Sequence, residues 1–245
     1  MMNIAHTSEP VKENGYLYLD FESNMKPEMY VVGYSFGHET RQVVLHPGLK
    51  KAAEEHDMGF CPPSDFIRDL LEMLRSCNLT LVAYSEAELN YVHLLSKNID
   101  TAFCDEIKYL NLAKAAKTWV RKFRKNEMQQ LGDFLPTTLP GYGFLRRQRN
   151  NSLASRMRLT DFNAPHGYAP GKTTTRFNHV IAGLNKRANF ESLTPTQKRK
   201  WTMALKHNKF DVDALPILME TIGQDEPSIL NLSTKLLFSK SKILH

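Results

Sequence analysis

In "YLYLDFESN", residues 16–24, two carboxylates, Asp20 and Glu22, stand two positions apart in an otherwise apolar and aromatic run. Residues i and i+2 of an extended strand share a face, so both acids point one way while Leu19 and Phe21 point the other. A half-buried pair of anions persists only when protonated or matched by cations. Hard carboxylate oxygens at this spacing suit Mg2+ or Mn2+. The same stretch also reads as a strand that ends at Leu19, with both acids solvated in a turn. Further along, Glu88 lies at the start of the helix in "VAYSEAELNYVHLL". In "KHNKFDVDAL", His207 and Asp211 are one helical turn apart and share a face. An imidazole titrating near neutrality can position or deprotonate water. A surface histidine beside a salt-bridging Asp211 is the plainer alternative.

These side chains need elements that bring them together. "GYLYLDFES", "EMYVVGYSFG" and "TRQVVLHPG" read as three short strands in a meander. "PPSDFIRDLLEMLRSCN" has helical spacing, "LTLVAY" is a fourth strand followed by a helix, and "TAFCDEI" reads as a fifth strand. A meander followed by alternating strands and helices predicts an α/β fold, a mixed five-stranded sheet flanked by helices. "NLAKAAKTWVRKFRKN" is amphipathic, with Leu112, Ala116, Trp119, Val120 and Phe123 on the apolar side. Residues 128–172, rich in Gly, Pro, Asn, Arg and Ser, read as an irregular basic insertion. "TTTRFNHVIAGLNKRA" reads as a helix. The run from Thr194 opens with a capping box, Thr194-x-x-Gln197, and Pro195 at the first helical position. Pro216 must kink that helix or divide it in two. The domain is expected over residues 12–223, with a tail at 224–245 that shows no clear period.

Open α/β sheets place their sites at the carboxyl ends of strands, where Asp20, Glu22 and Glu88 all fall. Taken in order, "LDFES", "AYSEAELNYV" and "HNKFDVDAL" resemble the three motifs of the DEDD exonucleases of the ribonuclease H-like superfamily. The likeness is nearest to the branch with a Y-N-x-x-D-V third motif, often attached to RecB-type nucleases. It covers about residues 16–223. The resemblance implies a ribonuclease H-like sheet, with Asp20, Glu22, Glu88 and Asp211 as metal ligands and His207 positioning the attacking water. It implies two Mg2+ or Mn2+ ions, about 3.5–4 Å apart, hydrolysing phosphodiester bonds from the 3′ end of single-stranded or frayed nucleic acid. Two departures stand out. Glu88 replaces the usual Asp, and His207 occupies the four-residue spacing usually held by Tyr. They leave room for a catalytically degenerate nuclease fold that binds nucleic acid or acts as a scaffold subunit.

The net charge of +6 is concentrated. Residues 114–158 carry eleven Lys or Arg against Glu127 and Asp133, which points to a polyanionic partner. Phosphate contacts are expected from Lys117, Arg121, Lys122, Arg124 and Lys125 on the basic helix, and from Arg146, Arg147 and Arg149 near Tyr142 and Phe144. Arg156 and Arg158 belong to the same basic run. The expected partners are single-stranded DNA or RNA and a replication or repair complex, not a membrane. Three cysteines, Cys61, Cys77 and Cys104, without CxxC spacing fit a reducing cytoplasm. The start of the chain lacks the apolar stretch of a secretion leader. "GYSFG" imitates a serine nucleophile elbow, but a strand rather than a helix is expected after it. "GYAPGKTTT" fails the phosphate-binding-loop spacing at His166.

Overall fold

Leu17, Leu19 and Phe21 turn to one face of the first strand, and Tyr18, Asp20 and Glu22 to the other. The computed structural model describes residues 15–24, 28–37, 39–96, 107–133, 151–165, 168, 171–187 and 189–236. Strand β1 (Tyr16–Ser23) pairs antiparallel with β2 (Met29–Phe36), which pairs antiparallel with β3 (Glu39–Val44). On its other side β1 runs parallel to β5 (Thr80–Ala83), and β5 parallel to β6 (Lys108–Asn111). Two short edge strands, β4 (Gly59–Phe60) and β7 (Thr234–Leu236), complete a seven-stranded mixed sheet in the order β4-β3-β2-β1-β5-β6-β7.

The α/β architecture agrees with the sequence, but the described residues form seven strands rather than five. Ladders of two and three residues carry no alternation to read. The fifth strand expected at "TAFCDEI" falls on residues 101–107, of which 101–106 lie outside the described residues, and a strand, Lys108–Asn111, follows directly. The segment after Gly223, read as a tail, instead continues the preceding helix to Asp225 and supplies β7 against β6. The "GYSFG" run forms β2 and the turn into β3, so Ser35 is a buried strand residue and not a nucleophile elbow.

Helices cover both faces. After the short α1 (Lys50–Glu55), α2 (Pro63–Ser76) and α3 (Glu86–Leu95) lie on the Leu19 face, packing Phe66, Ile67, Leu70, Leu74, Leu89 and Val92 onto the strands. The opposite face is crossed by α8 (Pro195–Asp225), one 31-residue helix running through Pro216. Its Trp201 and Ala204 meet Tyr30, Val31 and Val44, and its Val212, Leu215 and Leu218 meet Tyr18 and Val82. The expected capping box, Thr194 with Gln197, starts that helix. Beside α8 lie α4 (Leu112–Phe123), begun by the Asn111 side chain accepting from Lys114 N, and α7 (Thr173–Leu184). Of the region read as irregular, α5 (Lys125–Asp133) runs into its start and α6 (Leu153–Met157) lies within it. No helix among the described residues is long and apolar enough to cross a membrane.

Gly33 sets how closely α8 approaches the sheet. A Cβ there would sit 2.4 Å from Asn208 Oδ1 and 2.7 Å from Val212 Cγ2. Gly33 is also the register partner of Asp20, so the missing side chain brings α8 down onto the strand position that carries the first carboxylate.

Candidate metal centre

The period-two pattern of β1 presents Asp20 and Glu22 toward α8, opposite Gly33 and Val31 of β2. The solvated-turn alternative fails because β1 continues through both residues to Ser23. On α8, residues 207, 208 and 211 face the sheet, as helical i, i+1 and i+4 positions can. His207 Nε2 lies 3.1 Å from Asp211 Oδ2, with side chains only 6% and 13% exposed, so this is not a solvated surface pair. Leu19 pairs with Ala83, the last residue of β5, so the N-terminus of α3 lies beside the acid-bearing end of β1.

Glu88 has a second role. Its Oε2 accepts from Ser85 N at 3.2 Å and from Ser85 Oγ at 2.8 Å, completing a capping box at the start of α3. The signature of that box, Ser85-x-x-Glu88, stands in the sequence. Glu88 is nonetheless buried, and its charge acts on Asp20 and Glu22.

Glu22, His207 and Asp211 offer ligand atoms within 4.8 Å of one another, a group that includes neither Asp20 nor Glu88. The charges of all four acids nonetheless act on one another. The Asp20 carboxyl is held well above the usual range, first by burial, then by Asp211, Glu22 and Glu88, with a hydrogen bond from Asn208 acting the other way. Glu22 is pushed up to about 7, chiefly by burial, with His207 opposing and Asp211 and Glu88 adding to the rise. Burial also raises Glu88, against its bonds with Ser85. None of the ion pairs among the described residues brings a Lys or Arg to these four acids. Glu22 Oε1 and His207 Nδ1 are buried without a hydrogen-bond partner. Uncompensated buried carboxylates with a free acceptor atom fit a divalent cation, which would neutralise the first and occupy the second.

Two residues that sequence reasoning missed hold the acids in place. Asn208 is fully buried, and its Nδ2 donates to Asp20 Oδ2 at 2.8 Å and to the Asp20 carbonyl at 3.2 Å. Gln42 Nε2 donates in turn to Asn208 Oδ1 at 2.8 Å, which fixes which end of the amide faces the acid. Asn208 stands at the asparagine of the third motif, so a signal was present. Tyr168 gave none: it lies in the Gly- and Pro-rich insertion, 43 residues before Asp211. Its hydroxyl donates to Asp211 Oδ1 at 2.8 Å, and its ring stacks on His207.

The basic surface is only partly as expected. Lys117, Arg121, Lys122 and Lys125 are exposed on α4 and the start of α5. Arg124 is committed elsewhere: it pairs with Asp225 and Glu127, each at 3.1 Å, and covers the Trp119 ring. Phe123, assigned to the apolar side, is 45% exposed at the end of α4. Arg156 is buried near Tyr84 and donates to Asn151 Oδ1 at 2.8 Å, so it is not a solvent-facing contact. Arg146, Arg147 and Arg149 lie outside the described residues. Since β6 is two strands from β1, α4 starts roughly 10 Å across the sheet from Asp20. From there it extends about 18 Å. A separate cleft of about 1040 Å³ along β3 and β4, lined by Arg41, Asp65, Arg68 and Asp69, includes none of the five site residues.

Comparison with protein-family models, with curated proteins and with solved structures gave no match.

Proposed function

We propose that this chain is a metal-dependent 3′–5′ exonuclease of ribonuclease H-like architecture, acting on single-stranded or frayed DNA or RNA in the cytoplasm. One observation carries the reading: Glu22 of β1 and His207 and Asp211 of α8 offer ligand atoms within 4.8 Å of one another, with the charges of Asp20 and Glu88 acting on the same cluster. A mixed sheet flanked by helices, antiparallel through β3-β2-β1 and parallel through β1-β5-β6, supports the architectural part of that reading. Direction of cleavage comes from the motif resemblance alone.

Divalent cations held there, two Mg2+ or Mn2+ in the resemblance, would supply the positive charge that phosphodiester hydrolysis needs at the attacking and leaving oxygens. The chain supplies the rest. Asn208 holds the Asp20 carboxylate, and Tyr168 holds that of Asp211. The exposed cations of α4 would hold the phosphate backbone whatever its base sequence. A replication or repair complex remains the proposed setting.

The test is digestion of a 5′-labelled single strand with Mn2+ or Mg2+. The expected product is a ladder shortening from the 3′ end, abolished in Asp20→Ala while strand binding persists. Cutting of a circular single strand would instead indicate an endonuclease. The Ser85 bonds that occupy Glu88 Oε2 favour a second reading, a degenerate nuclease fold that binds nucleic acid or serves as a scaffold. Metal-independent binding without degradation would establish it.

A further inference from the structure

Strand β3 is paired along only part of its outer side. β4 runs beside Val43 and Val44 alone, so Glu39–Gln42 have no neighbouring strand on that side among the described residues. Cys61 N donates to Val44 O at 3.0 Å, so the even-numbered positions of β3 turn their backbone groups outward, Thr40 and Gln42 included. Sheet edges are often blunted by a bulge or a proline. β3 has neither, and it keeps one regular register with β2 over all six of its residues.

This open edge borders the cleft of about 1040 Å³, between α2 on one side and Lys209 of α8 on the other. On α2, Asp65, Asp69 and Glu72 stand at i, i+4 and i+7, one stripe along the helix. With Glu39 and Asp57 the lining holds five acids against three bases, in a chain whose net charge is +6. The bases are engaged within the protein: Arg41 with Glu39 at 2.8 Å, Arg68 with Asp65 at 2.9 Å and Lys209 with Asp213 at 2.6 Å. Asp57 and Glu72 have no ion pair among the described residues, and Asp69 has only a long one, 3.9 Å to Arg68. Such a lining repels a phosphate backbone, and it lacks the largely apolar walls that enclose small ligands.

We infer that this edge is the docking site for an extended basic peptide segment of a partner protein. The segment adds alongside β3 as a strand and sets alternate Lys or Arg side chains against Asp65, Asp69 and Glu72. In strand addition, main-chain hydrogen bonds supply affinity and alternate side chains supply specificity. Alternate strand residues lie about 7 Å apart on one face, and helix positions three or four apart about 5–6 Å, so successive basic side chains meet successive acids. None of the five residues of the metal centre lines the cleft, so the inference stands apart from the nuclease reading.

The experiment is calorimetric titration of the full chain with a blocked Lys-Val-Lys-Val-Lys-Val peptide, paired with amide hydrogen exchange followed by nuclear magnetic resonance. The peptide should bind, and the Thr40 and Gln42 amides should exchange about tenfold or more slowly in the complex. Reversing charge in the double variant Asp69→Lys, Glu72→Lys should weaken binding about tenfold or more. Circular dichroism of that variant checks the fold, and a Glu-Val-Glu-Val-Glu-Val peptide tests the same charge preference on the unaltered chain. No binding of the lysine peptide, or equal binding of the glutamate peptide, overturns the inference. Binding that leaves the Thr40 and Gln42 amides unprotected overturns strand addition. Self-association in sedimentation that the lysine peptide competes away assigns the edge to a second copy of this chain and overturns the partner peptide.

Discussion

Tyr168 lies flat against His207, with ring centroids 4.1 Å apart and planes 4° from parallel, and its hydroxyl reaches past that ring to Asp211. One side chain from the insertion thus holds both functional residues of α8. Burial and the Asp211 charge raise the Tyr168 phenol, so it stays protonated and donates throughout the working pH range. Tyr168→Phe keeps the stack and removes the hydrogen bond. The expected result is a 10- to 100-fold loss of metal affinity or activity, about the cost of losing a hydrogen bond to a metal ligand, with little change in melting temperature. Calorimetric Mn2+ titration measures it, and an unchanged affinity would remove Tyr168 from the site.

Asn208 joins Gln42 to Asp20 in a buried relay. Asn208→Ala leaves an amide and a carboxylate unpaired, which costs about 1–3 kcal/mol. At about 2–4 °C per kcal/mol for a chain of this size, melting falls by several degrees. Gly33→Ala should act on the same contact from the other side, because its Cβ would overlap Asn208 Oδ1. The overpacking cost is about 1–3 kcal/mol. Thermal melts of both variants decide it. Additive losses would show that the two changes do not act through one contact.

Glu88→Gln separates the two roles of that residue. Glutamine also serves at the third position of a capping box, so α3 should still form and melting should not fall. The lost charge should reduce metal-dependent degradation at least tenfold. If degradation is unaffected, Glu88 is a capping residue alone.

The pH dependence of stability has a definite sign. Asp20, Glu22 and Glu88 all titrate higher in the fold than their ordinary values. The folded chain therefore binds protons that the unfolded chain releases. For Glu22 that contribution is complete below about 4.5 and is lost as pH rises through about 7. Without metal, melting temperature should rise as pH falls from 8 toward 5. Mn2+ should flatten the profile, and Asp20→Asn should raise the melting temperature at pH 8. Melting followed by circular dichroism across that range is the check, and a metal-free profile rising with pH would contradict it.

On the basic helix, Lys117, Arg121, Lys122 and Lys125 should behave differently from Arg124. Replacing those four by alanine should weaken single-strand binding at every sequence and cut the salt slope by up to about 3, at roughly 0.7 per phosphate contact. Arg124→Ala should leave the slope alone and cost up to about 1 kcal/mol through its ion pairs with Asp225 and Glu127. Filter binding at several salt concentrations distinguishes them.

The amino-acid order alone determined what depends on local spacing. The alternation along β1 aims Asp20 and Glu22 at one face, and the four-residue step joins His207 to Asp211 on α8. Amphipathic periods marked α2 and α4, and Thr194-x-x-Gln197 marked the start of α8. The lengths of β4 and β7 were illegible because two or three residues carry no period. Only the tertiary structure decided that α8 descends onto Gly33 and delivers Asn208 to Asp20, and that Tyr168 covers His207. It also decided that Arg124 pairs with Asp225 and Glu127 and that Arg156 is buried. These pairings join residues far apart in the chain through close packing, and no short-range pattern encodes which distant surface a side chain will meet.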